Sequence, residues 1–248
     1  MPLVTVITAT SAIPERQPFW EALATSVNCQ AGVEVEWLIA APHSPGADDM
    51  LSRVGDAITS PGVALSHVPV PLASTVGSRR NAALRRASGQ YVVNLDDDDM
   101  LAGAHSLSCR VSELESSGAQ WVAGRTVNYG VSRLLDWEQL PSGRYSLPGD
   151  VGLVLPEDLP LTIHTSAVLA STDLIRGVGG WHPTLPAAED IDLLYRLCLS
   201  TRSFSMVEDV VLLYRKHAES TMAKISRKDD RELISSLRDQ YGLPPMQV

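Results

Sequence analysis

The sequence predicts an α/β fold with a mostly parallel central sheet. Short β-branched runs alternate with longer helical stretches through the first half of the chain, and this alternation is typical of parallel sheets flanked by helices. At 248 residues the chain can form one large α/β domain or two small ones. Sheets of this kind bind ligands at the carboxyl ends of their strands, so we expect functional residues there.

Each element of the first half follows from local composition. Apolar, β-branched runs predict strands at 3–8, 34–41, 63–68, 91–95 and 121–129. Helices are expected between them at 14–28, 48–57, 74–87 and 102–117. Pro14 opens the first helix, Gly89 lies just past the third where a C-cap glycine belongs, and Gly118 ends the fourth.

The second half is less regular. Residues 130–160 are rich in glycine and proline, which predicts an irregular excursion with a short hairpin. Beyond it, strands are expected at 162–169 and 205–214. The helix expected at 190–200 has an apolar face, and the one at 227–241 is charged and amphipathic.

Composition excludes some function classes. The net charge is −9 and the pI is about 5.1, so no general basic field attracts nucleic acid. Cys29, Cys109 and Cys198 show neither metal-ligand spacing nor a disulfide framework, which favours a reducing compartment. The start lacks a signal-peptide pattern, and no run approaches the roughly 18 apolar residues of a membrane span. A soluble, cytoplasmic protein with no integral membrane segment is expected.

Four adjacent aspartates are the most informative feature. Asp96, Asp97, Asp98 and Asp99 directly follow the strand predicted at 91–95. Adjacent carboxylates repel one another, so a cation or a solvated loop must relieve them. Mg²⁺ and Mn²⁺ prefer oxygen ligands and often share one or two carboxylates with substrate phosphates. The run therefore predicts a cation–diphosphate site, with a solvated acidic turn as the structural alternative.

Three further motifs accompany the aspartates: Gly-Ser-Arg-Arg-Asn at 77–81, Gly-Gly-Trp at 179–181, and Glu-Asp at 189–190 before a helix. Together they resemble the family 2 type of nucleotide-sugar glycosyltransferases with the GT-A fold. The match runs from the first strand to about residue 217 and is strongest over 77–99 and 177–198.

That resemblance implies one GT-A-type domain over 1–248. Residues 1–129 would form the nucleotide-sugar-binding half, 130–217 the acceptor and catalytic half, and 218–248 a C-terminal helix. The implied activity is transfer of a sugar from a UDP- or dTDP-sugar to a hydroxyl, with inversion and with Mg²⁺ or Mn²⁺. The small size and the lack of a membrane element favour a small soluble glycoside or natural product as the acceptor, as in antibiotic biosynthesis, and polysaccharide or lipid-linked acceptors at a membrane surface remain open. No nucleic-acid partner is expected.

The resemblance also implies roles for donor-side residues. Arg80 would hold the nucleotide, Asp96 would face the ribose, and Asp98 would coordinate the cation with His217 as a second ligand. The remaining donor-binding residues would be Thr8, Ala9, Thr10 and Asp97. The second strand ends in Ile39-Ala40-Ala41-Pro42, where the family commonly has a base-binding aspartate, and Asp48 and Asp49 lie too far along to replace it.

On the acceptor side, the resemblance makes Asp190 the general base. A single displacement with inversion needs one base and no protein nucleophile. Glu189 would orient the site, and Asp192 is either an alternative base or a favourable charge at the helix N-terminus. His164 would line the sugar pocket, and Trp181 either stacks on a sugar or belongs to the core.

Other functions share parts of this pattern. A sugar-phosphate nucleotidyltransferase usually needs a glycine-rich loop after the first strand, but residues 9–16 contain no glycine. A hydrolase with two carboxylates and a non-catalytic nucleotide-sugar-binding relative remain as alternatives. The aspartate run does not fit an EF-hand loop.

Overall fold

The computed structural model describes residues 1–129, 142–146, 163–217, 220 and 227–242. In these residues, nine strands form one mixed sheet in the order β3-β2-β1-β4-β8-β6-β9-β5, with β7 paired to β9. The strands are β1 (Leu3–Ala9), β2 (Glu34–Pro42), β3 (Val63–Val70), β4 (Tyr91–Asn94), β5 (Met100–Leu101), β6 (Trp121–Tyr129), β7 (Gly143–Ser146), β8 (Val168–Ser171) and β9 (Ser203–Arg215). The α/β prediction is confirmed.

Helices cover both faces of the sheet. They are α1 (Gln17–Asn28), α2 (Pro45–Ala57), α3 (Val76–Arg86), α4 (Ser106–Ser117), α5 (Thr172–Gly177), α6 (Glu189–Ser200) and α7 (Arg227–Gln240). Neighbouring residues of β1 point to opposite faces of the sheet. Val6 packs in the hydrophobic cluster with α1, α2 and α4, whereas Ile7 packs in the cluster with α3, α5, α6 and α7. Among these helices, none combines the length and apolar character needed to cross a membrane.

The topology brings several strand ends to one edge of the sheet. The strands β1, β2, β3 and β4 pair in parallel, as the alternating pattern predicted. The chain winds outwards through β2 and β3 and then returns to the other side of β1 with β4. Such a reversal opens a crevice at the carboxyl ends of the strands. β8 runs antiparallel to β4, so the residues just before β8 reach the same edge.

In the second half, one predicted strand requires correction and one predicted hairpin is only partly described. The strand expected at 162–169 begins only at Val168, because Thr165–Ala167 form a 3₁₀ turn; residue 162 lies outside the described residues. The hairpin expected within 130–160 is described only at β7, which pairs with β9, and the rest of that segment lies outside the described residues.

Gly89 does not cap α3 as predicted. The helix ends at Arg86 with Ala87 as its cap, and the φ of Ala87 is −53°, which is not left-handed. Gly89 instead lies against β1, where an added Cβ would come 2.7 Å from the backbone nitrogen of Thr5. Gly118 does cap α4 in the left-handed region, with a φ of 66°.

Gly77 is required for a close contact between α3 and the segment before α6. A Cβ at Gly77 would lie 2.1 Å from the carbonyl oxygen of His182. We expect Gly77→Ala to lower the free energy of unfolding by about 1–3 kcal/mol, because backbone must move to admit the methyl group. Urea unfolding measures this change.

Gly55→Ala is the matched control. Gly55 lies in α2, and nothing lies within 4 Å of a Cβ added there. The substitution should raise the free energy of unfolding by about 0.5–1 kcal/mol through helix propensity. Equal effects of the two substitutions would contradict the close contact at Gly77.

Candidate functional site

A cleft of about 230 Å³ opens at the carboxyl ends of β1 and β4. Its walls come from the β1–α1 segment, the start of α3, the acidic run after β4, the residues before β8, the start of α6 and the end of β9. The lining residues are Ala9, Thr10, Ser11, Ile13, Arg16, Val76, Arg79, Arg80, Asp96, Asp97, Asp98, His164, Pro186, Ala187, Ala188, Glu189, Asp190, Tyr214 and Ser220.

Two of the three residues predicted to bind the donor at the end of β1 lie in the cleft. Ala9 and Thr10 line it, and the Thr10 hydroxyl donates to Asp97 while accepting from the backbone N–H of Ala12 at 2.8 Å. Thr8 does not line the cleft. Its buried hydroxyl accepts a hydrogen bond from Trp37 Nε1 at 3.0 Å, so the expected contact of Thr8 with a nucleotide base is not supported.

Arg16 is the residue that the sequence analysis missed. It ends the 3₁₀ turn Pro14–Arg16, and its guanidinium lies 3.1 Å from Asp97 Oδ1 and also contacts Asp98 Oδ2. Burial raises the pKa of Asp97 to about 6, although Arg16 acts in the opposite direction. The partners lie 81 and 82 positions apart in sequence, and no motif marked Arg16.

His217 and Arg215 approach the acidic run from the end of β9. The imidazole Nε2 of His217 lies 2.8 Å from Asp98 Oδ2, and its ring packs against Phe19 at 5.0 Å. Arg215 donates from Nε to the carbonyl oxygen of Asp98 and from its backbone N–H to Asp99 Oδ1, both at 2.9 Å. Its guanidinium also stacks over Phe19, so Arg215 holds the acidic loop in place.

The acidic run fits a hard divalent cation. Asp96, Asp98 and Asp99 each offer a carboxylate oxygen, and these oxygens lie within 4.8 Å of one another. Asp99 is fully buried, and among the residues that the structure describes its Oδ2 has no hydrogen-bond partner. Burial, reinforced by Asp98 and Asp96, raises the pKa of Asp99 well above its ordinary value. Such a set of oxygen donors suits Mg²⁺ or Mn²⁺.

Arg80 joins the acidic run to the start of α6. One side of its buried guanidinium donates to Asp96 Oδ1 at 2.6 Å and another to Glu189 Oε1 at 2.5 Å. Burial alone would lower the pKa of Arg80, but the two carboxylates outweigh it and keep the pKa above its ordinary value. Glu189 therefore contacts Arg80, and through Arg80 it is connected to Asp96.

Asp190 faces the cleft from the first turn of α6. Its Oδ2 accepts from the Thr165 hydroxyl at 3.3 Å, and its Oδ1 accepts from the backbone N–H of Ile191 at 2.8 Å. Ala188, the residue before the helix, has a φ of 58°, a conformation that costs energy for alanine and is often found at functional sites. The side chain of Asp190 is partly exposed to the cleft.

Asp192 points away from the cleft and does not fit the role of a base. It is fully buried, and it accepts from Arg196 Nη2 and from the Tyr241 hydroxyl, each at 2.5 Å. The bond from Tyr241 connects α6 to the segment after α7, and the bond from Arg196 lies within α6. The expectation that Asp192 could serve as an alternative base is therefore not supported by its position.

His164 lines the cleft, whereas Trp181 belongs to the core. The His164 ring packs on Tyr214 at 4.4 Å, and burial lowers the pKa of His164. Trp181 is 3% exposed, and Asn81 bonds both its backbone carbonyl and its backbone N–H. Next to it, Gly180 has a φ of 68°, and a Cβ there would lie 2.3 Å from Asn81 Oδ1.

Asp48 and Asp49 stay outside the cleft. Asp48 is exposed on α2, and Asp49 accepts from Arg53 and from Gln17. Neither replaces the acidic residue that is lacking at the end of β2.

No protein-family model matches the chain, and no curated protein is significantly similar to it in sequence. Solved structures are similar in fold. S. aureus TarS 1–349 in complex with UDP-GlcNAc superposes with a TM-score of 0.71 at 14% identity, over 100% of this chain and 68% of that one. The full TarS structure is matched over 41% of its length.

Two further neighbours carry a cation. The mannosyltransferase PcManGT from Pyrobaculum calidifontis, in complex with GDP-Man and Mn²⁺, gives a TM-score of 0.63 at 16% identity, covering 98% of this chain and 66% of that one. Glucosyl-3-phosphoglycerate synthase from Mycobacterium tuberculosis, in complex with Mn²⁺, UDP-glucose and phosphoglyceric acid, gives 0.60 at 17%, covering 98% and 81%. The chain has the GT-A fold. The fold predicted from the motifs is confirmed.

The GT-A cleft of this chain depends on Arg80 for its stability. Arg80→Gln should lower the free energy of unfolding by about 3–5 kcal/mol, because it leaves the buried carboxylate of Glu189 and the partly buried carboxylate of Asp96 without their partner. Chemical unfolding in EDTA measures this change. The double variant Arg80→Gln/Glu189→Gln removes one of the unpaired charges and should recover part of the loss. If the loss in the double variant equalled the sum of the losses in Arg80→Gln and Glu189→Gln, the two side chains would not be coupled as described.

Proposed function

We propose that this protein is a glycosyltransferase that moves a sugar from a nucleoside-diphosphate donor to an acceptor hydroxyl. One observation carries the proposal: a single cleft contains carboxylates that fit a divalent cation, arginines that fit phosphate, and a separate carboxylate, Asp190. Separate cation and base positions suit a reaction in which a diphosphate leaves while a hydroxyl loses its proton. The proposal includes one domain spanning 1–248, with the division into halves given above.

The donor would bind across the ends of β1 and β4. Ala9 and Thr10 line the cleft where a nucleotide base would enter, and Asp96 lies where the ribose would follow. Three neighbours in fold were solved with UDP-GlcNAc, GDP-Man or UDP-glucose, which supports a nucleotide-sugar donor. We propose UDP- or dTDP-sugars for this chain, with base contacts made without an aspartate at the end of β2.

Asp98 and His217 would hold the cation together with neighbouring carboxylates. Their direct contact at 2.8 Å supports this pairing, since both can offer a ligand atom at one place. A bound Mg²⁺ or Mn²⁺ would stabilise the negative charge that develops on the leaving diphosphate. Arg79, which lines the same cleft and donates to Ser11 at 2.6 Å, adds positive charge beside it.

Asp190 would act as the general base in a single displacement with inversion. Its bond to Thr165 and its place at the helix N-terminus fix the carboxylate towards the cleft. Glu189 would orient Arg80 and, through it, Asp96.

We propose a small soluble acceptor, such as a natural-product glycoside, and a cytoplasmic location. The three cysteines are free thiols, which supports a reducing compartment.

Asp190→Asn tests the proposal. A thermal-shift screen of UDP- and dTDP-sugars with and without Mn²⁺ would first identify a donor by a cation-dependent increase in melting temperature. With that donor, release of the nucleoside diphosphate should fall about 10²–10⁴-fold in Asp190→Asn, because the base is lost. Donor affinity measured by calorimetry should stay near that of the wild type.

Asp192→Asn is the control, two positions along the same helix. It should lower the melting temperature, because Asp192 bonds Arg196 and Tyr241, but the folded variant should keep its turnover. Full turnover in Asp190→Asn would remove Asp190 from the proposed role. A protein that binds the donor but never releases its diphosphate would be a non-catalytic relative instead.

A further inference from the structure

Arg16 occupies a position in the cleft that the proposed reaction does not use. Its side chain is 12% exposed and belongs to the turn between β1 and α1. The guanidinium reaches across the cleft floor to Asp97 and Asp98, which come from the loop after β4. The turn itself has no other charged contact with that loop in the described residues apart from Arg16.

The contact with Asp98 would compete with a cation bound at that carboxylate. The same oxygen, Oδ2 of Asp98, receives both Arg16 and His217. A divalent cation on that oxygen and a guanidinium in contact with it would repel each other at close range. Binding of a cation by Asp98 would therefore weaken the contact of Arg16 with that oxygen.

In the absence of a cation, the contact of Arg16 compensates the charge of two buried carboxylates. Asp97 and Asp98 are each 8% exposed, and buried carboxylates without a positive partner are strongly destabilising. Arg16 supplies that partner. The guanidinium is also well suited to phosphate oxygens, which it can bind through two parallel N–H groups.

The other two arginines of the cleft have partners other than Asp98. Arg80 is bound to Asp96 and Glu189. Arg79 is held by hydroxyls and a backbone carbonyl, through Ser11, Ser74 and Leu72. Only Arg16, among the arginines that line the cleft, contacts Asp98.

We propose that Arg16 is an exchangeable counter-ion of this site. It neutralises Asp97 and Asp98 in the absence of ligands, and it turns to the phosphate oxygens once a cation and a diphosphate bind. The inference rests on the proposed cation site at Asp98. Arg16 would then have two opposite effects, since it competes with the cation and attracts the anion.

Arg16→Gln separates these effects. Calorimetric titration with Mn²⁺ alone should show binding about tenfold tighter than in the wild type, because the competitor is gone. Titration with inorganic pyrophosphate at saturating Mn²⁺ should show binding about tenfold weaker, because a charged phosphate contact is lost. A residue that only supports the loop would weaken both.

Arg53→Gln controls for net charge. It removes the same charge from an exposed pair with Asp49, and both affinities should stay within about twofold of the wild type. Arg16→Lys serves if the glutamine variant does not fold. Lysine keeps the charge but not the fork, so pyrophosphate should bind more weakly while Mn²⁺ affinity stays close to that of the wild type.

The outcomes are distinguishable. Weaker or unchanged Mn²⁺ binding in Arg16→Gln overturns the counter-ion role and leaves the proposed function standing. Unchanged pyrophosphate binding in either Arg16 variant overturns the exchange. Failure of the wild-type protein to bind Mn²⁺ removes the proposed cation site, and the inference falls with it.

Discussion

Four consecutive carboxylates lie at the edge of this sheet, three of them buried, and such a group requires positive charge close by. The partners of these aspartates come from several distant parts of the chain. Arg80 from α3 binds Asp96, and Arg16 from the β1–α1 turn binds Asp97 and Asp98. His217 and the backbone of Arg215 reach Asp98 and Asp99 from β9. Charge compensation therefore connects segments that are distant in sequence and shapes the cleft between them.

Much of the fold was predictable because its signals are local. Strand and helix positions follow from apolar runs, and the motif at 77–81 has a direct structural use: Gly77 admits the His182 carbonyl, Arg80 pairs across the cleft, and Asn81 binds both backbone groups of Trp181. Gly89 does not cap α3, although a glycine just after a helix is typical of a C-cap. Its actual constraint is the neighbouring strand, which local sequence does not reveal.

The site was less predictable, since its contacts join distant residues. No spacing rule could indicate that Arg16 lies beside Asp97 and Asp98. The choice between Asp190 and Asp192 depended on which face of α6 meets the cleft, and residues two apart on a helix point to different sides. The bonds of Tyr241 and Arg196 to Asp192 turn that residue away from the cleft, so Asp190 is the one that faces it.

We propose that Asp98 and His217, together with neighbouring carboxylates, bind a divalent cation beside a nucleotide diphosphate. Crystals grown with Mn²⁺ and UDP, measured at the manganese absorption edge, test it most directly. We expect one strong anomalous peak within coordination distance of Asp98, with the Arg16 guanidinium displaced from that carboxylate. A nucleotide bound in the cleft without a manganese peak there, and with Arg16 still in contact with Asp98, would contradict the account.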